Sequence, residues 1–158
     1  MTEVSDIIAY RRDENGAEIP CEGILNYRGY DIRALVDGFV TENRFGFEEI
    51  VYLLLFSKLP TKSELADFSA MLASYRSLPT NFVRDIILKA PSRDMMNTLA
   101  RGVLTLYAYD ENAEDTSLPN VLRQCVQLIS TFPLISVYAY QSFAHYIDGQ
   151  SLVIHSPD

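Results

Sequence analysis

The chain has 158 residues, 48% of them hydrophobic and 22% charged, which suits one globular domain with a real apolar core. Its 13 Lys and Arg against 21 Asp and Glu leave a formal charge of -8. The basic residues are scattered apart from Arg11-Arg12, which excludes the clustered phosphate contacts of a nucleic-acid binder.

Along the chain, Ile7–Arg11 and Ile19–Leu25 flank Asp13-Glu14-Asn15-Gly16. Asn-Gly between β-tolerant runs predicts a hairpin, because both residues accept positive φ. Pro20 cannot donate to a ladder, so the second strand is expected at an edge. An isolated hairpin is marginal in water and needs something to lie on. Asp31 is placed to cap a helix whose apolar positions are Ile32, Leu35, Val36 and Phe39.

From Gly46 a second helix runs through Phe56, apolar on nearly all sides after Glu49, as expected of a segment buried in a larger core. Leu59-Pro60 closes that stretch. Thr61-Lys62-Ser63-Glu64 reads as a capping box opening a helix to about Arg76, with Leu65, Phe68, Met71, Leu72 and Tyr75 on one face. After Leu78-Pro79-Thr80, the residues Phe82, Val83, Ile86 and Ile87 predict a short fourth helix ending at Pro91. Ser92 is placed to cap the next one, through Met95, Met96, Leu99, Val103, Leu104, Leu106 and Tyr107.

Asp110–Thr116 is an acidic connector without periodicity, expected to be exposed. Pro119 suits the first helical position, and Val121-Leu122, Cys125-Val126, Leu128-Ile129 and Phe132 mark a strongly apolar helix. Pro133 should kink or break it before Leu134–Tyr146 continues, with Gly149 closing. The expected fold is all-α (mainly helical) with a small β-hairpin near the N-terminus: one helical domain over 1–158, a hairpin over 5–26 and helices over 31–148.

Several function classes fall away. The longest unbroken apolar run, Ile50–Phe56, is too short to span a bilayer, so no membrane is expected. Met1–Ala9 carries Glu3 and Asp6 and lacks the basic start of a secretory leader. Cys21 and Cys125 lie far apart without a C-x-x-C pattern, so neither a disulfide nor a metal site is expected. Buried free thiols in a reducing, cytoplasmic compartment are expected instead.

The ordered series Gly23-Ile24-Leu25-Asn26-Tyr27-Arg28-Gly29-Tyr30-Asp31-Ile32, Phe47-Glu48-Glu49-Ile50-Val51-Tyr52-Leu53-Leu54-Leu55, Leu59-Pro60-Thr61, Leu106-Tyr107-Ala108-Tyr109-Asp110 and Leu128-Ile129-Ser130-Thr131-Phe132-Pro133-Leu134-Ile135 resembles the citrate synthases. The resemblance is to the amino-terminal part of their large helical domain and spans nearly the whole chain. The wording of Asp94-Met95-Met96-Asn97 and of Ser151–Pro157 is most similar to enzymes of anaerobic Gram-positive bacteria. Many relatives carry His-Pro-Met where Asp94-Met95-Met96 stands here, so nothing assigned to that histidine transfers.

The family is a group of acyltransferases of the tricarboxylic acid cycle. It condenses oxaloacetate with acetyl-CoA to citryl-CoA and hydrolyses this to citrate. That chemistry needs a carboxylate base beside the thioester and donors for the enolate and the accepting carbonyl. The family supplies them from Leu-His-Ala-Glu-His-Gly-Gly-Asn and His-Gly-Gly-Ala-Asn stretches and a later aspartate, none of them present here. The Arg- and Gly-rich CoA-binding segment that typically precedes the hairpin is also missing. The resemblance therefore implies a scaffold fragment with no catalytic, cofactor-binding or metal-binding residue. Acetyl-CoA would be a substrate of the full enzyme, and acyl discrimination against propionyl-CoA would lie outside this segment.

Each residue that invites a sharper reading has a plainer one. Arg28 could clamp a carboxylate, but Gly29 supplying a positive-φ turn while Arg28 pairs with a nearby acid or carbonyl explains the pair. Glu48 and Glu49 point about 100° apart on a helix and suit its electropositive start better than a shared site. Met95-Met96 and Tyr107, Tyr109, Tyr138 and Tyr140 read as packing. His145 suits a surface or capping role, and His155 lacks a fixed polar neighbour.

The segments Ser92–Tyr109 and Pro119–Tyr146 are too apolar for one core to hide, so they are the expected partner surface. The resemblance agrees, since the family's dimer is an antiparallel sandwich of such helices, and a homodimer through them is expected. Three alternatives remain: a freestanding helical protein-interaction module, a 2-methylcitrate synthase fragment, and a small-ligand domain for which the sequence shows no converging polar groups.

Overall fold

The computed structural model describes residues 4–154. Its elements are β1 (Ser5–Arg12), β2 (Glu18–Tyr27), β3 (Tyr30–Asp31), α1 (Ile32–Thr41), α2 (Phe47–Phe56), α3 (Lys62–Ser74), α4 (Met95–Leu106) and α5 (Leu118–Tyr146). A π-helical turn at Val83–Leu88 and a 3-10 turn at Tyr107–Tyr109 complete the set. The expected mainly helical fold with a small amino-terminal sheet is what the chain adopts. By internal contacts it divides into two compact units, one ending at Ser69 and one beginning at Ala70.

The first unit opens with an antiparallel sheet of order β1-β2-β3. β2 is therefore central, not an edge as Pro20 suggested. β3 pairs only with Asn26 and Tyr27, so at Pro20 the strand has β1 as its one neighbour. A proline is tolerated where one side of a strand is open.

The turns also differ from expectation. Between β1 and β2 only Gly16 takes positive φ, 82°, and the Asp13 carboxylate accepts from the amides of Asn15 (2.9 Å) and Ala17 (2.8 Å), replacing the expected two-residue turn. The true tight turn is Arg28-Gly29, with φ of 48° and 85°. Two positive values in succession match the right-handed twist of the flanking strands.

Asp31 caps α1 as expected, accepting from Arg33 N at 2.8 Å. α2 stops at Phe56 because Ser57 turns left-handed, φ 63°, before Leu59-Pro60 is reached. The capping box forms in full: Thr61 N donates to Glu64 Oε2 (2.8 Å) and Glu64 N to Thr61 Oγ1 (3.3 Å). α2 and α3 meet through the rings of Tyr52, Phe56 and Phe68, with centroids 4.6 to 6.0 Å apart.

In the second unit the core is Phe82, Ile87, Leu106, Ile135, Tyr138 and Ala139, with Met95, Leu99 and Leu134 packed against it. The expected fourth helix is a π turn, with Lys89 N bonded to Arg84 O at 3.2 Å. Phe82 and Ile87 are both fully buried, yet an α-helix would set residues five apart about 140° from each other. The wider turn brings both inward.

α4 is capped by Asp94, not Ser92. Asn97 N donates to Asp94 Oδ1 (2.9 Å), while the Ser92 hydroxyl accepts from Asp94 N (3.0 Å). α4 and α5 pack closely at Gly102, where a Cβ would lie 3.0 Å from Ile135 Cγ2.

α5 runs unbroken for 29 residues through Pro133, contrary to the break expected there. Pro133 is exposed, and Ser136 Oγ donates to Phe132 O (2.8 Å) in the same turn. The continuity matters for the membrane question, since by length and composition alone α5 would reach across a bilayer. It is also the central helix of this unit's core. Its buried Ser130, Thr131 and Ser142 hydroxyls donate to the carbonyls of Val126 (2.9 Å), Gln127 (2.9 Å) and Ile87 (3.4 Å).

Candidate functional site

The residues singled out in the sequence do not converge. Arg28 Nε and Nη2 donate to Leu54 O at 3.2 and 2.9 Å, tying the β2–β3 turn to α2. Glu49 is paired with Arg44 at the start of α2, while Glu48 shares that first turn. Met95 joins the core and Tyr138 is buried. Met96, Tyr107, Tyr109 and Tyr140 are all more than half exposed, so the packing expected of that set holds only in part.

His145, in the last turn of α5, has Nδ1 2.7 Å from Gln150 O and its ring against Tyr146, so it ties the following loop to the helix end. His155 lies outside the described residues. Both cysteines are free, but Cys125 is exposed and Cys21 only half-buried, so the expectation of buried thiols is corrected. Among the described residues no group of three or more His, Cys, Asp or Glu could hold a metal ion.

What the fold does assemble is an uncharged pair of helix faces. On α5, Leu118, Val121, Cys125, Leu128 and Phe132 recur at steps of three and four and are all exposed. On α4, Met96, Ala100 and Leu104 do the same at steps of four, with Met96 73% and Leu104 75% exposed. The only Asp, Glu, Lys or Arg on either helix are Arg101 and Arg123. Arg101 is folded onto Ala90 O (2.9 Å), Asn97 Oδ1 (3.1 Å) and Thr98 Oγ1 (3.4 Å).

Arg123 is held by the connector that the sequence suggested was merely exposed. Asp110 accepts from Arg123 Nη2 at both oxygens (2.8 and 2.7 Å), from Gln124 Nε2 (3.1 Å) and from Asn112 N (3.1 Å). Asn120, buried at the start of α5, donates to Asn112 O (2.9 Å) and Asp115 O (2.7 Å). Arg123, then Gln124, lowers the Asp110 pKa by hydrogen bonding to the charged form. The Tyr107 hydroxyl donates to Glu114, which raises the Tyr107 pKa. The signal for this knot was a lone arginine in an otherwise uncharged helix: its partner had to come from the neighbouring connector.

A concavity of about 450 Å³ is lined mainly by apolar side chains including Leu78, Phe82, Val83, Leu88 and Leu134, and also by Arg76 and Arg84. Arg84 is already paired with Asp85. Among the residues lining the concavity there is no His, Asp, Glu or Cys.

The described residues form a helical scaffold with uncharged, exposed faces on two adjoining helices. The comparisons give its family. A family profile described as "Citrate synthase, C-terminal domain" matches residues 2–156, and the chain belongs to the citrate synthase family. It is 38% identical over 91 residues to the citrate synthase of Saccharolobus solfataricus, covering 58% of this chain and 22% of that protein. It is 30% identical over 138 residues to the 2-methylcitrate synthase of Shewanella oneidensis, covering 85% of this chain and 32% of that protein. Among solved structures, citrate synthase from Pyrobaculum aerophilum matches with a TM-score of 0.68 and 28% identity over 98% of this chain and 35% of that one. The chain thus spans about a fifth to a third of the length of the curated relatives it matches.

Proposed function

We propose that this chain is the scaffold and subunit-contact part of a citrate synthase-type acyltransferase, which joins oxaloacetate to a short acyl-CoA, and that its own residues perform no step of the reaction. The observation that carries this reading is the pair of uncharged, exposed faces on α4 and α5, in a chain whose family is known and whose singled-out residues do not converge. Leaving Met96, Leu104, Leu128 and Phe132 in water is unfavourable, and a second copy presenting the same faces would cover them. The self-association surface is thus α4 and α5, the segments Ser92–Tyr109 and Pro119–Tyr146.

Acetyl-CoA is the acyl donor of the proposed enzyme. Propionyl-CoA is the alternative, favoured by similarity to a 2-methylcitrate synthase over 85% of the chain. The kinship proposed within the family is with anaerobic Gram-positive bacteria, on the wording around Asp94–Asn97 and Ser151–Pro157. The two free thiols accord with a reducing compartment, and we place the protein in the cytoplasm. The test is incubation of the purified chain with oxaloacetate and acetyl- or propionyl-CoA while following free CoA with a thiol reagent. No release above the enzyme-free rate is expected, and turnover would overturn the assignment of a purely structural role.

A further inference from the structure

We infer that the loop between α1 and α2 is a second self-association element, and that its Phe45 seats in the apolar concavity beside the π turn of another copy. Phe45 is 94% exposed, and Val40 and Phe47 close to it in the chain are 73% and 55% exposed. The segment that presents it is nonetheless braced. Asn43 N donates to Val40 O and Arg44 N to Phe39 O, each at 3.1 Å. The Arg44 guanidinium is paired with Glu42 and Glu49 and lies 4.8 Å from the centre of the Phe39 ring. Gly46 is required there, because a Cβ would fall 2.2 Å from that same ring. An aromatic side chain held in water on a braced loop loses little freedom when it docks, which is the character of a binding anchor.

Shape and charge choose what receives it. The concavity of about 450 Å³ lined by Leu78, Phe82, Val83, Leu88 and Leu134 is apolar and roomy enough for a benzyl group. Residues 42–49, which carry Phe45, hold three glutamates and one arginine, a net charge of -2. Residues 76–89, which supply most of the concavity, hold Arg76, Arg84 and Lys89 against Asp85, a net charge of +2 in a chain of -8. Loop against loop would set like charges together, and so would concavity against concavity. Loop against concavity sets opposite charges together, so charge selects that pairing between copies. A contact centred on one ring is small, so it is expected at on the order of 100 micromolar and above, leaving micromolar protein to the α4–α5 faces.

The contact is separate from the α4–α5 faces, and the test keeps them apart. In protein carrying Leu128→Glu, sedimentation velocity is expected to show reversible assembly as the concentration rises through that range. Phe45→Ser should weaken it about tenfold or more, the effect of having no large apolar side chain to bury. Leu88→Glu puts a carboxylate into the concavity and should do the same. Arg84→Glu reverses the charge of an exposed side chain and should weaken assembly about threefold to tenfold, so it replaces Leu88→Glu if circular dichroism shows that variant unfolded. A mixture of Phe45→Ser protein with Leu88→Glu protein should form a one-to-one complex that grows no further, since one supplies an intact concavity and the other an intact loop. The inference is overturned if Leu128→Glu protein stays monomeric throughout, as it would were the concavity meant for another occupant. It is equally overturned if assembly ignores Phe45→Ser and Arg84→Glu, or if the mixture fails to combine. Failure of the α4–α5 reading would look different: Phe45→Ser protein would then be monomeric at micromolar concentrations with Leu128 intact.

Discussion

Replacing Gly102 by Ala pits two effects of similar size against each other. In the middle of α4 the change should stabilise the helix by about 1 kcal/mol, because glycine surrenders more backbone freedom than alanine. The new methyl, however, would stand 3.0 Å from Ile135 Cγ2 and 3.6 Å from its Cδ1. Ile135 is fully buried in the cluster with Phe82, Ile87, Leu106, Tyr138 and Ala139, so it has nowhere to retreat. Overpacking a filled core costs about 1–3 kcal/mol, which should outweigh the helix gain and leave a net loss of about 1 kcal/mol. For a chain of this length that lowers Tm by about 2–4 °C. Ile135→Leu moves the offending branch away from Cβ, so it should cost little alone and relieve the clash in the double variant. Thermal melts of the four proteins followed by circular dichroism give the coupling directly. A higher Tm for Gly102→Ala, or strictly additive effects in the double variant, would refute the claim that α4 and α5 are closed down on this glycine.

Other expectations are simpler to check. Thr61→Ala should cost about 1 kcal/mol by removing the oxygen that caps α3, read as a lower urea midpoint with an unchanged slope. The Glu64 carboxyl is held down at about 2 from its ordinary 4.5, first by the hydrogen bond from Lys58 and then by Thr61. A depressed folded-state value means stability that is present above the ordinary pKa and lost as the pH falls toward 2. Glu64→Gln should therefore flatten the acid side of the stability curve between about pH 5 and 2, and an unchanged acid limb would contradict it. Cys125, exposed on the α5 face, should react with a thiol reagent before Cys21, and Cys125→Ser should remove the fast phase. At higher protein concentration the fast phase should slow as α5 becomes covered.

Much of the architecture was legible because local chemistry fixes it. The capping box at Thr61–Glu64, the Asp31 cap and the apolar spacing of α4 each dictate a helix whatever surrounds them. The misses share a cause, namely partners distant in sequence. Pro20 reads as an edge residue because its sequence cannot show that β3 stops short of it. Phe82 and Ile87 fit an α-helix until both must face one core, which only a π turn allows. Pro133 breaks isolated helices, but the packing of α5 on both sides of it keeps this one continuous. Asp110 looked like one acid among several in a solvent-exposed run, and Arg123 on α5 made it a fixed point. The site was legible chiefly as exposed apolar surface on α4 and α5, since a helix with one charged residue in 29 has to put its apolar sides somewhere.

The central claim is that these two faces hold copies of the chain together, and light scattering on size-exclusion peaks tests it directly. The protein should elute as a dimer at micromolar concentrations and become a monomer when Leu128→Glu is introduced. A folded monomer across that range with Leu128 in place would contradict the account.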